Sequence, residues 1–251
     1  MATSNKFTLS VIGAGGTGGY FLKEFSRYLQ GDKEKQIVHM EIIDGDTVEE
    51  KNILRQSFQL EDVGFNKAIV MADILKSAFN ADFTPKAEFL NDETQLYYSQ
   101  TSVPIIIGCV DNHKARLVCE EFFNSHDTCF YLDSANEFSY GEVVFAYKID
   151  GKVLSPVRSH YFPKIKTDAG KARTEMSCEE LNNVAPQHIA TNMQAGNILL
   201  NEVCSILEGR PHCGMVTFDL ENYAQDFIRY VPTAKDIEAA KLLDAKEEAA
   251  A

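Results

Sequence analysis

The stretch that most restricts the fold is "FTLSVIGAGGTGGYFLKEF", residues 7–25. An apolar, β-prone run stops at Gly13-Ala14-Gly15-Gly16-Thr17-Gly18, and helical spacing takes over directly after it. Strand, glycine turn and helix in this order put the turn at the carboxyl end of a strand and at a helix N-terminus. The free N–H groups and positive dipole end found there suit a phosphate. Turns of the form G-x-G-x-x-G also serve close helix–strand packing, so the turn alone names neither the nucleotide nor the reaction.

The following residues repeat the alternation. "QIVHMEIID" reads as a second strand ending on acid, "NKAIVMADILKSAF" as an amphipathic helix, and "DFTPKAEFL" as holding a short strand. "NDETQLYYSQT" reads as a polar-capped helix, "VPIIIGCVD" as a buried strand, "NHKARLVCEEFFNSH" as a helix and "TCFYLDSA" as another strand. Strands separated by helices predict an α/β fold: a Rossmann-like sheet, mostly parallel, with helices on both faces. After Ser134 the period changes. "SYGEVVFAYKIDGKVLSP" alternates around Asp150-Gly151 as a β-hairpin does. "VRSHYFPKIKTDAGKARTEMS" reads as a long loop, and "CEELNNVAPQHIATNMQAGNILLNEVCSILEG" as helical with a break or a new first turn at Pro186. "HCGMVTFDLENYAQDFIRYVP" reads as a closing pair of strands that extends the sheet in antiparallel fashion. One domain over 1–232 is expected, with a nucleotide-binding half at about 7–135 and a partner-binding half at about 136–232. The Ala/Glu/Lys-rich tail, 233–251, is expected to be helical or disordered.

Charge and apolar content exclude several functions. A formal net charge of −13 opposes a nucleic-acid surface, which needs clustered Lys and Arg; the single local candidate is "SPVRSHYFPKIK". No apolar run reaches the ~20 residues of a membrane span, and the first residues lack the pattern of a secretory signal. The expected location is the cytoplasm. Cys109, Cys119, Cys129, Cys178, Cys204 and Cys213 form no C-x-x-C pair, so reduced thiols are expected and a structural zinc is not.

Several polar residues stand where a ligand on the glycine turn would be. Asp44 ends the second strand, where an acid accepts hydrogen bonds from ribose hydroxyls or caps the next turn. Asp46 belongs to the same site or to a turn made by "DGDT". Asn52, Arg55 and Gln56 follow at i, i+3 and i+4 and share one helix face; an arginine there offers bidentate charge to a phosphate. Lys67 falls at a helix start, where the dipole disfavours cations, so it faces either a bound phosphate or solvent. Asp111 ends the central strand, placed to ligate Mg²⁺ if the ligand is a triphosphate. Asn112 beside it serves the site or caps the following helix. Hydride transfer needs neither the arginine, the lysine nor the metal acid. Nucleotidyl transfer uses all three, to offset charge developing on the phosphates.

"GAGGTG", "DGDTVEEKNILRQ", "DVGFNKA" and "CVDN" together resemble the ThiF/MoeB family, relatives of the ubiquitin-activating enzymes. The resemblance runs from about Phe7 to Pro232, and "YLDSANEFSYGEVVFAY" and "SCEELNNVAPQHIATNMQAGNILL" look closest to ThiF-type members of PRTRC gene cassettes. It implies ATP and Mg²⁺-dependent adenylation of the C-terminal carboxylate of a small ubiquitin-fold or sulfur-carrier protein, with release of pyrophosphate, by a homodimer. Carried over, Gly13, Gly15, Gly16 and Gly18 form the phosphate turn, Asp44 and Asp46 the ribose side, and Asn52, Arg55, Gln56 and Lys67 the α-phosphate or leaving-group side. Asp111, with Asn112 next to it, holds Mg²⁺. Cys178 is implied as an acyl acceptor after adenylation, although Glu179 and Glu180 favour its protonated form.

Two departures stand out. The paired C-x-x-C zinc motifs of many members are missing, and no arginine-bearing extension precedes the first strand to complete a partner's site. The region around Arg158 and Arg173, or the C-terminal tail, is where a substitute would lie. Two other readings remain: a nicotinamide-dependent oxidoreductase, which uses the glycine turn and Asp44, and a non-catalytic relative that binds nucleotide or partner.

Overall fold

The structure is a computed structural model that describes residues 6–31, 36–167, 188–233 and 236. Five strands come first: β1 (Phe7–Ile12), β2 (Ile37–Ile43), β3 (Thr84–Lys86), β4 (Val103–Gly108) and β5 (Cys129–Asn136). They pair in parallel in the order β3-β2-β1-β4-β5. Then β6 (Tyr140–Ile149), β7 (Lys152–Ser155), β8 (Gly214–Asp219) and β9 (Ala224–Arg229) continue the same sheet antiparallel, with β6 against β5, β7 and β8. The expected α/β sheet with an antiparallel extension is therefore present. β1 is buried at every position, the continuous apolar run that a strand covered on both faces requires.

Helices lie on both faces. Alternate strand residues Val11, Ile42, Ile107 and Leu132 meet one side, against α1 (Gly16–Tyr28), α3 (Lys67–Phe79) and α6 (Ile189–Leu207). Ile12, Ile43, Ile106 and Tyr131 meet the other, against α4 (His113–Ser125). Two single turns complete the set, α2 (Glu50–Ile53) and α5 (Arg158–Tyr161). The β6–β7 hairpin turns at Asp150 (φ 46°) and Gly151 (φ 75°), the left-handed pair a two-residue hairpin needs. Among the described residues no helix is long and apolar enough to cross a membrane.

One expected element is missing. Residues 91–101, read as a helix, form turns and irregular chain instead. The cause is a buried carboxylate. Glu41, fully enclosed on β2, accepts from Ser10 Oγ (2.6 Å) and from the backbone N–H of Tyr97 (2.9 Å), and pairs with Lys86 (2.8 Å). The Tyr97 N–H is satisfied on the sheet, while short local turns at Asn91–Thr94 and Ser99–Ser102 take other backbone groups, and no helical ladder forms. The stretch after β7, read as a long loop, holds a helical turn, α5, and a 3-10 turn at Pro163–Lys166 before Thr167, and the rest of it lies outside the described residues. Pro186, Arg173 and the tail beyond Asp236 lie outside the described residues.

Candidate functional site

The carboxyl ends of β1, β2, β4 and β5 open into one cavity of about 1130 Å³. Its floor is the glycine turn. Gly13 has φ +93°, and a Cβ there would stand 2.6 Å from the Cys109 carbonyl oxygen, so this position takes glycine alone. Gly13, Gly15, Gly16 and Thr17 line the cavity. Gly15 starts α1 without any side-chain cap, which leaves the first N–H groups of the helix to a ligand. Gly18 does not line it. A Cβ on Gly18 would lie 1.9 Å from the Gly13 carbonyl oxygen, so this glycine lets helix and turn pack.

The acid after β2 is drawn into the turn. Asp44 Oδ2 accepts from Ala14 N–H (2.7 Å) and Oδ1 from Asp46 N–H (2.8 Å). Burial pushes its carboxyl above the usual range, opposed by the nearby Lys67 cation and these two N–H bonds. Asn66 caps α3 through Ala68 N–H and returns its own amide to the carbonyls of Asp44 and Asp46. The next residue, Lys67, is buried with its Nζ 3.0 Å from Asp46 Oδ2. The lysine at the helix start is thus neither solvated nor free: its counter-ion is the second acid of "DGD".

Asn52, Arg55 and Gln56 all line the cavity, but the expected common helix face is cut short: α2 ends at Ile53, and Arg55 and Gln56 stand in the turn beyond it. Asn52 is buried and its Oδ1 accepts from Glu49 N–H (2.9 Å) in a capping box, so it shapes α2 as well as the wall. Arg55 makes no ion pair among the described residues. Gln56 approaches Gly15, and its Oε1 is buried without a hydrogen-bond donor among the described residues. Asp111, exposed, and Asn112 line the opposite wall; Asn112 takes its capping role, accepting from Ala115 N–H (2.8 Å). Cys178 lies outside the described residues. The five described cysteines are free thiols, and burial pushes Cys109, at the cavity wall, up to about 12.

Sequence reasoning missed the far half of the cavity. Asp133, fully buried on β5, lies between the guanidinium groups of Arg116 and Arg158. Arg116 also donates to the carbonyls of Ser134 (2.9 Å) and Val110, and Arg158 to Glu142 Oε1 (2.7 Å) and the Asp133 carbonyl (3.1 Å). Burial alone would lower the Arg158 pKa; Asp133 and Glu142 hold it raised. Every arm is engaged inside the chain, so Arg158 is no substitute for an arginine offered to a partner, nor part of a basic surface. Phe89 and Leu90, after β3, and Asn136, at the end of β5, line the cavity too. Their signal in the sequence was position alone: apolar residues just past one strand end and an amide at another.

A family model described as "ThiF family" matches residues 3–248. Among curated protein sequences none matches the chain. Among solved structures, PaaA superposes with a TM-score of 0.61 at 15% identity, over 90% of this chain and 73% of that one. A structure of E. coli MccB with ATP gives 0.64 at 13% identity, over 90% and 64%. MccB with AMPCPP and MccA gives 0.63 at 13%, over 92% and 66%. The chain thus spans about two thirds of the length of the MccB chains, and identities this low carry the fold and no more.

Proposed function

The chain belongs to the ThiF family, and from that premise we propose that it is an adenylyltransferase that uses ATP to activate the C-terminal carboxylate of a small ubiquitin-fold or sulfur-carrier protein. The observation that carries the reading is one cavity lined by an uncapped glycine turn, an arginine with no ion pair among the described residues (Arg55) and an acid just past a strand end (Asp111). ATP lies with its phosphates over Gly15, Gly16 and Thr17, its ribose at Asp44 and its base toward Phe89 and Leu90. A substrate carboxylate oxygen attacks the α-phosphorus; an O–P bond forms, the bond from the α-phosphorus to the oxygen bridging to the β-phosphate breaks, and its electron pair leaves on pyrophosphate. No protein nucleophile is needed for this half-reaction. Charge and alignment suffice, and Arg55 and Lys67 supply the charge. Lys67 turns from Asp46 to the phosphates without leaving its buried place.

Among the described residues no group of three or more His, Cys, Asp or Glu could hold a metal by itself. Mg²⁺ is commonly held by one or two carboxylates together with substrate phosphate oxygens, and Asp111 fits that donor set. Bound there it would neutralise phosphate charge. The proposal includes a homodimer: Leu54 (84% exposed), Leu60 (66%), Phe65 (63%) and Ile69 form an apolar stretch around the α2–α3 crossover that a second copy would cover.

Thermal unfolding of the full chain with ATP–Mg²⁺, ATP–EDTA, NAD⁺ and NADH tests the reading. A ligand at ~100 times its Kd adds about 2.7 kcal/mol, a rise of several degrees in a chain of this size. We expect stabilisation by ATP–Mg²⁺ that weakens with EDTA and is lost in Asp111→Ala. Stabilisation by NAD⁺ or NADH alone would replace this reading with an oxidoreductase.

A further inference from the structure

Asn136 closes β5 where the parallel and antiparallel parts of the sheet meet. Its amide is held at both ends. Oδ1 accepts from Thr17 Oγ1 (3.1 Å), and Nδ2 donates to Asn192 Oδ1 (2.8 Å) on the first turn of α6. Thr17 Oγ1 also lies 3.4 Å from that same Asn192 oxygen. Asn192 is completely buried, and its Nδ2 has no acceptor among the described residues. That nitrogen stands 2.1 Å from where a Cβ on Gly16 would be, so the glycine turn leaves room for this amide. Burying an unpaired amide costs stability. What the arrangement secures is the direction of Asn136: one of its N–H groups is used by Asn192, and the other has no acceptor among the described residues.

Asn136 lines the cavity between two regions with different tasks. On one side is Thr17, in the first turn of α1. On the other are Tyr140 and Glu142, on the antiparallel strand that borders the far half. If nucleotide phosphates lie over the turn and the carrier's tail enters from the far half, the group that passes Asn136 is the carboxylate being activated.

We propose that Asn136 contacts the substrate, donating its second amide N–H to the carboxylate oxygen that becomes the acyl carbonyl, and that Asn192 is the positioning residue that fixes it. This inference rests on the adenylation reading. The hydrogen bond is the same before and after the O–P bond forms, and no proton moves. A neutral donor suits the place, since an acid would repel both carboxylate and phosphate, and a lysine has no oxygen to accept from Thr17 Oγ1.

Isothermal titration of the full chain with two probes decides it: AMP, and 5′-O-(N-glycylsulfamoyl)adenosine, an unhydrolysable mimic of a glycyl adenylate. In Asn136→Ala the mimic should bind about tenfold more weakly, as for one hydrogen bond lost, while AMP changes by less than about twofold. Asn192→Leu, which keeps Asn136 but removes its anchor, should reproduce the same split. A merely structural pair would weaken both probes alike, and that result, or no change with either, overturns the inference. If Asn192→Leu does not fold, Asn136→Ala decides alone. A wild-type chain that binds neither probe overturns the adenylation reading itself, and the role of Asn136 with it.

Discussion

Two acids of the same sheet, Asp44 at the cavity after β2 and Asp133 buried within β5, are held in opposite ways. Asp44 is held by two backbone N–H groups and keeps one cation, Lys67, at a distance through Asp46. Asp133 is clasped by two arginines that reach it from α4 and α5. The first arrangement is local, built within the strand–turn–helix units that a parallel sheet repeats. The second is assembled from four separate elements and makes a rigid neutral block of charges. Each oxygen of either carboxylate takes one such donor, but neutral amides leave the charge of Asp44 at the cavity wall, whereas two guanidinium groups neutralise that of Asp133 in the interior. Asp44 is therefore suited to binding, and Asp133 to holding the two halves of the sheet together.

That contrast predicts different failures. Asp133→Ala leaves buried Arg116 without its carboxylate and Arg158 with Glu142 alone, and removing one partner of such a cluster costs about 3–5 kcal/mol. A fall in melting temperature of roughly 10 °C is expected, checked by circular dichroism; a fall within a degree or two would mean the block is not structural. Asp44→Ala should cost less, about 2 kcal/mol, because the desolvation that raises its pKa offsets part of the two N–H bonds. It should nevertheless abolish the ATP-dependent rise in melting temperature. Were the two variants to exchange these outcomes, the distinction between binding acid and structural acid would be gone.

The smallest effect sharpens the comparison with a third acid. Glu120 on α4 is buried, accepts from Ser159 N–H (2.8 Å), and has its pKa raised by that burial from the model-peptide value of 4.5. The folded state therefore keeps a proton that the unfolded state has released over the window just above that value. Stability falls as pH rises through this window. Glu120→Gln retains the acceptor and lacks the charge, so relative to wild type it should gain stability between about pH 5 and about neutral pH. Parallel melting curves for the two proteins across that range would remove Glu120 from this account.

The legible parts of the molecule follow the same division. Gly13, Asp44, Asn52, Arg55, Lys67 and Asp111 each sit at a strand end or in the turn or helix that follows, where spacing along the chain fixes spacing in the cavity. Arg116, Asp133, Glu142 and Arg158 meet only after β5 pairs with β6 and α5 folds back, and no local period encodes that meeting. The false helix at 91–101 failed for a similar reason. Its polar and aromatic residues have acceptable helix spacing, but a carboxylate fifty-six positions upstream claims the N–H of Tyr97. Lys67 was half legible: its misfit with the helix dipole signalled a partner, and the partner in this structure is Asp46.

The Glu41 anchor bears on how such a protein can diversify. Phe89 and Leu90 belong to the stretch that Glu41 ties down at Tyr97, rather than to a helix packed along its length on the sheet. A stretch held at a few separate points, by Tyr97 N–H on Glu41, the Gln95 carbonyl on Lys86 and buried Leu96, can change residues, or gain and lose a few, without shifting the register of β2 or β4. The wall nearest the proposed base site is thus free to vary while the glycine turn stays constant. Descendants of this chain can alter which nucleotide they prefer, and how tightly, by editing a tether instead of rebuilding a scaffold.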